Sequence, residues 1–149
     1  MFDISTYILK RKIGIKNIAK DNFYLCKDSE CLQYITDNQY ISGMIEIIYY
    51  GEKILGENEW DLVDQLWLYF INAFIQLKKQ EYVEFYFPDQ PLKVKMTDKN
   101  GEYLIFEVGN KRKCFPQKIF IQEMIEEAKH FFSILNFQYG LEKINVLLK

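Results

Sequence analysis

A chain of 149 residues with 49% hydrophobic and 17% aromatic residues can bury about two thirds of the surface its unfolded form exposes, which implies one domain, 1–149. Its 27% charged content, three prolines and seven glycines exclude a disordered tail and a fibrous repeat. The net charge of −2 argues against a general attraction to nucleic acid.

The first forty residues have the weakest periodicity. Tyr7 to Ile18 mixes β-branched residues with basic ones around Gly14, and Phe23 to Ile35 suits a strand or a short helix; at least one strand is expected here. Lys10, Arg11, Lys12, Lys16 and Lys20 face a single Asp3. From Asp28 to Asp64 the balance reverses, with Glu30, Asp37, Glu46, Glu52, Glu57, Glu59 and Asp61 between them opposed only by Lys53. Such an acidic segment repels nucleic acid and attracts a basic partner.

Cys26, Cys31 and Cys114 make an odd count, and Met1-Phe2-Asp3-Ile4-Ser5 is not a basic run followed by an apolar core. No secretory signal is therefore expected, and reduced thiols in the cytoplasm are. Cys26 and Cys31 have the spacing of half a zinc site. Cys114 and the only histidine, His130, lie far off in the sequence, so neither a metal nor a cofactor is expected.

Met44 to Tyr49 reads as a strand too apolar to have both faces wet, Gly51 as a turn, and Lys53-Ile54-Leu55 as its short partner before Gly56. Asn58 then suits a helix N-cap, with Glu59, Asp61 and Asp64 near the positive end of the helix dipole and Lys78 and Lys79 near the other. The helix predicted over 59–79 buries Trp60, Val63, Trp67, Phe70 and Phe74 on one stripe. Both tryptophans read as packing anchors. Its uncharged run, Gln65 to Leu77, is short of the roughly twenty residues a bilayer requires.

Tyr82 to Val108 alternates with period two and predicts a meander. Pro88-Asp89-Gln90-Pro91 is a four-residue connection that sets Phe87 opposite Leu92, Phe85 opposite Val94 and Glu84 opposite Lys95. At the next corner a two-residue Asn100-Gly101 turn would pair Met96 with Ile105 and push Leu104, Phe106 and Val108 outward. A three-residue loop, Lys99-Asn100-Gly101, pairs Met96 with Leu104, Val94 with Phe106 and Lys93 with Glu107, and buries three side chains worth about 1.5–3 kcal/mol each. The outer face is then Tyr82, Glu84, Tyr86, Lys93, Lys95, Tyr103, Ile105 and Glu107.

Lys111-Arg112-Lys113, like Lys10-Arg11-Lys12, reads as a solvated basic loop, since few aromatics interleave with it as in nucleic-acid sites. A second helix is predicted over 117–137, ended by Gly140, with Phe120, Met124, Phe131 and Leu135 buried. Leu141 to Leu148 suits a last strand or a docked tail.

No catalytic constellation emerges. His130 sits mid-helix and does not suit a Ser-His-Asp or Cys-His site. Pro88-Asp89 opens like a restriction-type nuclease motif, but the acid two residues before a lysine on a following strand is missing, and Glu127-Ala128-Lys129 has that spacing on a helix. No glycine-rich phosphate loop is present.

Gly43-Met44-Ile45-Glu46-Ile47-Ile48-Tyr49-Tyr50-Gly51, then Glu59-Trp60-Asp61 with Leu66-Trp67, then Tyr86-Phe87-Pro88-Asp89-Gln90-Pro91, resembles the layout of small cytoplasmic bacterial α+β proteins, some of which are immunity proteins of toxin systems. The resemblance covers the middle third to half of the chain and carries over no catalytic residue. It implies a non-enzymatic domain that neutralises a cognate, basic toxin.

The fold expected is α+β, an antiparallel sheet (meander plus hairpin) with two long helices packed on one face. The function expected is protein binding through an acidic, tyrosine-bearing surface: Tyr82, Glu84, Tyr86, Tyr103 and Glu107, with Glu57, Glu59, Asp61 and Asp64 as a second acidic edge. Nucleic acid and membrane are not expected partners. The alternative is a small enzyme or ligand-binding domain with a pocket assembled from dispersed residues, which a deep pocket with converging carboxylates would support.

Overall fold

The computed structural model describes residues 1–10, 18–37 and 40–149; Arg11, Lys12, Gly14 and Lys16, part of the basic N-terminal stretch, lie outside them. The chain is α+β, built from two antiparallel sheets and three helices among the described residues. The first sheet holds β1 (Phe2–Leu9), β2 (Phe23–Leu25), β3 (Ser42–Tyr49) and β4 (Glu52–Leu55) in the order β2-β1-β3-β4, with β5 (Asp61–Leu62) also paired to β3. After α1 (Val63–Leu77) comes the meander, β6 (Tyr82–Tyr86), β7 (Lys93–Lys99), β8 (Tyr103–Val108) and β9 (Lys111–Pro116), in sequence order. The chain then closes with α2 (Gln117–Leu135) and α3 (Gln138–Leu148).

β3 is the centre of the first sheet because it is apolar on both faces. Ile45 and Ile47 join the main core, while Met44 packs with Leu9 and Phe23 into a small cluster on the other side, under Ile18 and Trp60. Tyr50 and Gly51 both have positive φ, which makes the tight turn into β4 that the glycine predicts. The main core spans both sheets. Phe2 of β1 meets Phe115 of β9 at 5.1 Å and Phe120 of α2 at 5.4 Å, and Phe115 meets Phe120 at 4.7 Å, so aromatic contacts weld the sheets beneath the helices.

Several elements differ from the sequence expectation. Helix α1 begins at Val63, not Glu59, because Glu57–Glu59 forms a 3-10 turn and Asp61–Leu62 pairs with Ser42 and Gly43 first. Lys111–Pro116 is a strand, not a loop. α2 ends at Leu135, where Asn136 adopts φ 55° as a left-handed cap. Gly140 lies inside α3, where a Cβ would fall 2.6 Å from the Phe132 ring; it allows α3 to press on α2. The last segment is this helix, neither strand nor tail, since Gly140, Ile144 and Leu147 recur on one buried face.

The expectation of free thiols fails for two of the three cysteines. Cys26 and Cys31 are joined in a disulfide with Cα atoms 5.3 Å apart, while Cys114 is free and exposed. Asp28 brings them together: its side chain caps the 3-10 turn by accepting from Glu30 N–H at 2.9 Å, and the turn doubles Cys31 back beneath Cys26.

In the meander, Phe85 faces Val94 and Glu84 faces Lys95 as expected. The second corner differs: Met96 lies opposite Phe106, Val94 opposite Val108 and Lys95 opposite Glu107, a displacement by two residues from the expected Met96–Leu104 register. Asn100 and Gly101 both have positive φ, and Glu102 N–H closes the turn on Lys99 O at 3.1 Å. Glu102 is then an extra residue before Tyr103 pairs with Lys99, which keeps Leu104, Phe106 and Val108 on the buried face.

A Cβ at Gly101 meets no atom within 4 Å, so only its φ of 74° opposes substitution. Gly101→Val is therefore expected to cost roughly 1–2 kcal/mol. A lower urea midpoint at unchanged slope is the expected reading, and an unchanged midpoint would contradict it.

Candidate functional site: the uncovered face of the meander

Alternation along β6 to β9 sends Val83, Val94, Met96, Leu104, Phe106 and Phe115 inward and leaves the opposite face without a covering element among the described residues. Tyr82, Tyr86 and Tyr103 stand there 43%, 57% and 50% exposed; Tyr82 shares a cross-strand row with Thr97 and a half-buried Ile105, Tyr103 is two residues from Ile105, and Tyr86 stands beside Lys93 at the other end of β6. The structure thus places all five residues of the expected tyrosine-bearing surface, Tyr82, Glu84, Tyr86, Tyr103 and Glu107, on one face.

The face is not acidic as expected. Glu84 accepts from the Tyr82 hydroxyl at 2.6 Å and lies 3.4 Å from Lys93, whose ammonium sits 5.0 Å from the Tyr86 ring centroid. The Tyr82 hydroxyl bond lowers the Glu84 carboxyl below its ordinary value and raises the Tyr82 phenol. Glu107 stands opposite Lys95 on one side and Arg112 on the other, with Arg112 Nε 3.8 Å from its carboxylate. Lys93, Lys95, Lys99 and Arg112 outnumber Glu84 and Glu107. The sign of each strand alternates, so the surface is a charge ladder with a positive excess.

The second acidic edge is not a surface. Glu57 accepts from Lys53 at 2.9 Å, and Glu59 turns its carboxylate onto Gly56 N–H at 2.9 Å. Asp61 and Asp64 are only 3% and 5% exposed. Asp61 accepts from Leu62 N–H at 2.7 Å, Asp89 N–H at 3.1 Å and Gln90 N–H at 3.0 Å, and so ties the β6–β7 loop to the first sheet. Asp64 accepts from Ile41 N–H at 3.2 Å. Burial pushes both carboxyls above their ordinary range against these backbone donors. Asp61 and Asp64 are joints: Asp61 lies on the short strand β5 and not in a helix, while Asp64 does lie in the first turn of α1 but is turned inward onto Ile41 N–H.

Sequence reasoning missed Arg112 and Cys114, which β9 brings to the same face beside Ile105 and Glu107. Only Phe115 is a large apolar residue in β9, so its alternation gave little to read. A shallow cleft of about 440 Å³ lies there, among Lys99, Tyr103, Ile105, Arg112, Lys113 and Cys114. A second of about 260 Å³ lies between α1 and β6, and a third of about 250 Å³ near Tyr34 and Tyr40. None of these three brings two carboxylates together, so they lend no support to the enzyme alternative.

The other missed feature is internal. Trp67 Nε1 donates to Thr6 Oγ1 at 3.0 Å, and that hydroxyl donates to Glu127 Oε2 at 2.6 Å, which binds α1, β1 and α2 at one point. Burial raises the Glu127 carboxyl above the ordinary 4.5, more than Thr6 lowers it. A raised carboxyl contributes stability that is full below its unfolded value and lost as pH rises through its folded value. Glu127→Gln keeps an acceptor for Thr6 and cannot ionise. Its stability relative to wild type is expected to improve between mildly acid and neutral pH; urea midpoints that differ by the same amount at both would contradict this.

No family model, no curated protein and no solved structure matches the chain. Among the described residues no helix is long and apolar enough to cross a membrane.

Proposed function

We propose that this chain is a non-enzymatic protein-binding domain that docks its partner on the outer face of the β6–β9 meander, as an immunity protein does when it neutralises a cognate toxin. The observation that carries the reading is three exposed tyrosines, Tyr82, Tyr86 and Tyr103, spread over one face that is backed by a close-packed core. Tyrosine suits this role because it offers large contact area at low entropy cost, and rigid backing means little more is lost on docking. The alternating charges call for a partner whose own charges interleave with them, carboxylates over Lys95, Lys99 and Arg112 and a basic group beside Glu84. A uniformly basic toxin is therefore not retained. The place of action proposed is the cytoplasm, and the Cys26–Cys31 disulfide is then one that forms there on oxidation.

The test is capture of the partner from the native cell followed by binding kinetics. Tyr86→Ala and Tyr103→Ala are expected to raise the dissociation rate, each costing about 2 kcal/mol or more as aromatic anchors. Lys95→Glu is expected to slow association instead and to alter its salt dependence, as loss of a steering charge does. A partner that binds all three variants like the parent removes this face from consideration.

A further inference from the structure

Among the described residues, β6 is the sheet edge that lacks a guard. Natural edges are kept short, charged with lysine, bulged or capped by proline, because unpaired N–H and C=O groups otherwise recruit another strand. β2 is three residues long, β4 four with Lys53 in it, and β9 carries Lys111, Arg112 and Lys113. β6 runs five residues, Tyr82–Tyr86, with neither lysine nor proline, pairs in unbroken register, and among the described residues has β7 as its one strand neighbour.

The backbone bonds at its ends fix which groups point away from β7. Phe87 N–H donates to Leu92 O at 2.8 Å, and Asp98 N–H donates to Glu81 O at 2.8 Å. In an antiparallel pair the bonded residues alternate, so Glu81, Val83, Phe85 and Phe87 are the ones tied to β7. The N–H and C=O groups of Tyr82, Glu84 and Tyr86 therefore face the open edge, and among the described residues none of them bonds to another element.

Beside this edge lies the cleft between α1 and β6. Tyr69, Asn72, Ala73 and Gln76 recur along one face of α1 and line it with Glu84, Phe85 and Tyr86. Ala73 leaves room at its floor, Tyr69 and Phe85 meet edge to face at 6.0 Å, and the amides of Asn72 and Gln76 have no hydrogen-bond partner among the described residues. A strand added to β6 would direct alternate side chains into this cleft and the others outward, beside Tyr82, Glu84 and Tyr86.

We propose that the partner contributes an extended segment that adds to the free edge of β6, with a basic side chain opposite Glu84 and flanking apolar side chains in the α1 cleft. This rests on the protein-binding reading above and says how the partner is held. Backbone groups in a row select another backbone, and side-chain pockets at alternate positions select its sequence. A second copy of this chain is the poorer occupant: the register that pairs all three outward residues across a two-fold axis sets Glu84 against Glu84, and like charges directly opposite repel.

The probe is a short acetylated peptide of alternating valine and threonine with a central lysine, titrated into the full chain while amide hydrogen exchange is followed residue by residue. Exchange at Tyr82, Glu84 and Tyr86 is expected to slow by about tenfold or more at saturation, while Val83 and Phe85, already bonded to β7, change little. Methylating the peptide nitrogens that face the edge should abolish the protection. Glu84→Lys should weaken the lysine peptide about two- to fivefold and favour a glutamate peptide in its place. Gln76→Trp, which overhangs the cleft from an exposed position, should weaken both. Unchanged exchange at the three outward amides, or equal binding of the methylated peptide, overturns the proposal. So does a captured partner that needs Tyr103 yet leaves those amides unprotected, and that result leaves the docking face itself standing.

Discussion

Gly43→Ala is expected to abolish the fold. An alanine Cβ at this position would fall 2.1 Å from the Tyr7 carbonyl oxygen and 2.9 Å from Val63 Cγ1. The first of these is backbone, so relief requires β1 to move off β3, although the two are paired from Phe2 and Tyr49 to Ile8 and Gly43. Gly43 also pairs with Asp61 of β5, so two of the three strand partners of β3 are held at this residue. Disrupting a central strand belongs with the few single changes that cost about 4–5 kcal/mol or more, against a total stability of roughly 5–15 kcal/mol. Far-ultraviolet circular dichroism and urea unfolding read the result. Gly51→Ala is the control, since its Cβ would meet nothing within 4 Å and only its left-handed φ of 81° opposes the change. A Gly43→Ala protein as stable as that control would contradict the close approach.

Thr6→Val is the second large effect. Valine has nearly the shape of threonine, so the loss is the hydroxyl alone. That hydroxyl is both the acceptor for Trp67 Nε1 and the donor to Glu127. Without it the buried Trp67 Nε1 and the half-buried Glu127 carboxylate each lose a partner, and each such loss costs about 1–3 kcal/mol, with more for a charged group. A destabilisation of roughly 2–5 kcal/mol at neutral pH is expected. Thr6→Ser keeps the hydroxyl and should cost much less, about one buried methyl group. The cost of Thr6→Val should also shrink in the Glu127→Gln background, since the group left stranded no longer carries a charge. Equal costs in the two backgrounds would show that the three residues do not act together.

Why the outer face was legible and the joints were not follows from the periods involved. Side chains on a strand alternate strictly, so Tyr82, Glu84, Tyr86, Tyr103, Ile105 and Glu107 had to share a face whichever even register the second corner took. Register itself depends on turn chemistry, and an Asn-Gly turn followed by the extra Glu102 is not separable in sequence from a three-residue loop. Asp61 and Asp64 misled for a different reason. Acids after a possible N-cap fit a helix start well, and Asp64 does sit in the first turn of α1; it is the pairing of β5 with β3 that turns Asp61 inward and the Ile41 N–H that holds Asp64 buried, both long-range contacts. The Thr6–Trp67–Glu127 chain joins residues up to 121 positions apart, for which a single sequence offers no signal. α3 was readable in principle, since Gly140, Ile144 and Leu147 follow helical spacing, but a glycine near the end of a helical run looks like its stop.

The claim that the meander face docks a protein is tested most directly by placing a photoreactive phenylalanine analogue at Tyr103 and, in a separate variant, at Tyr139. Both positions are about half exposed, but Tyr139 lies on α3, away from the meander strands. After irradiation in the native cell, Tyr103 is expected to yield one discrete cross-linked protein that Tyr139 does not. Cross-linking of the same protein from Tyr139 and none from Tyr103 would contradict it.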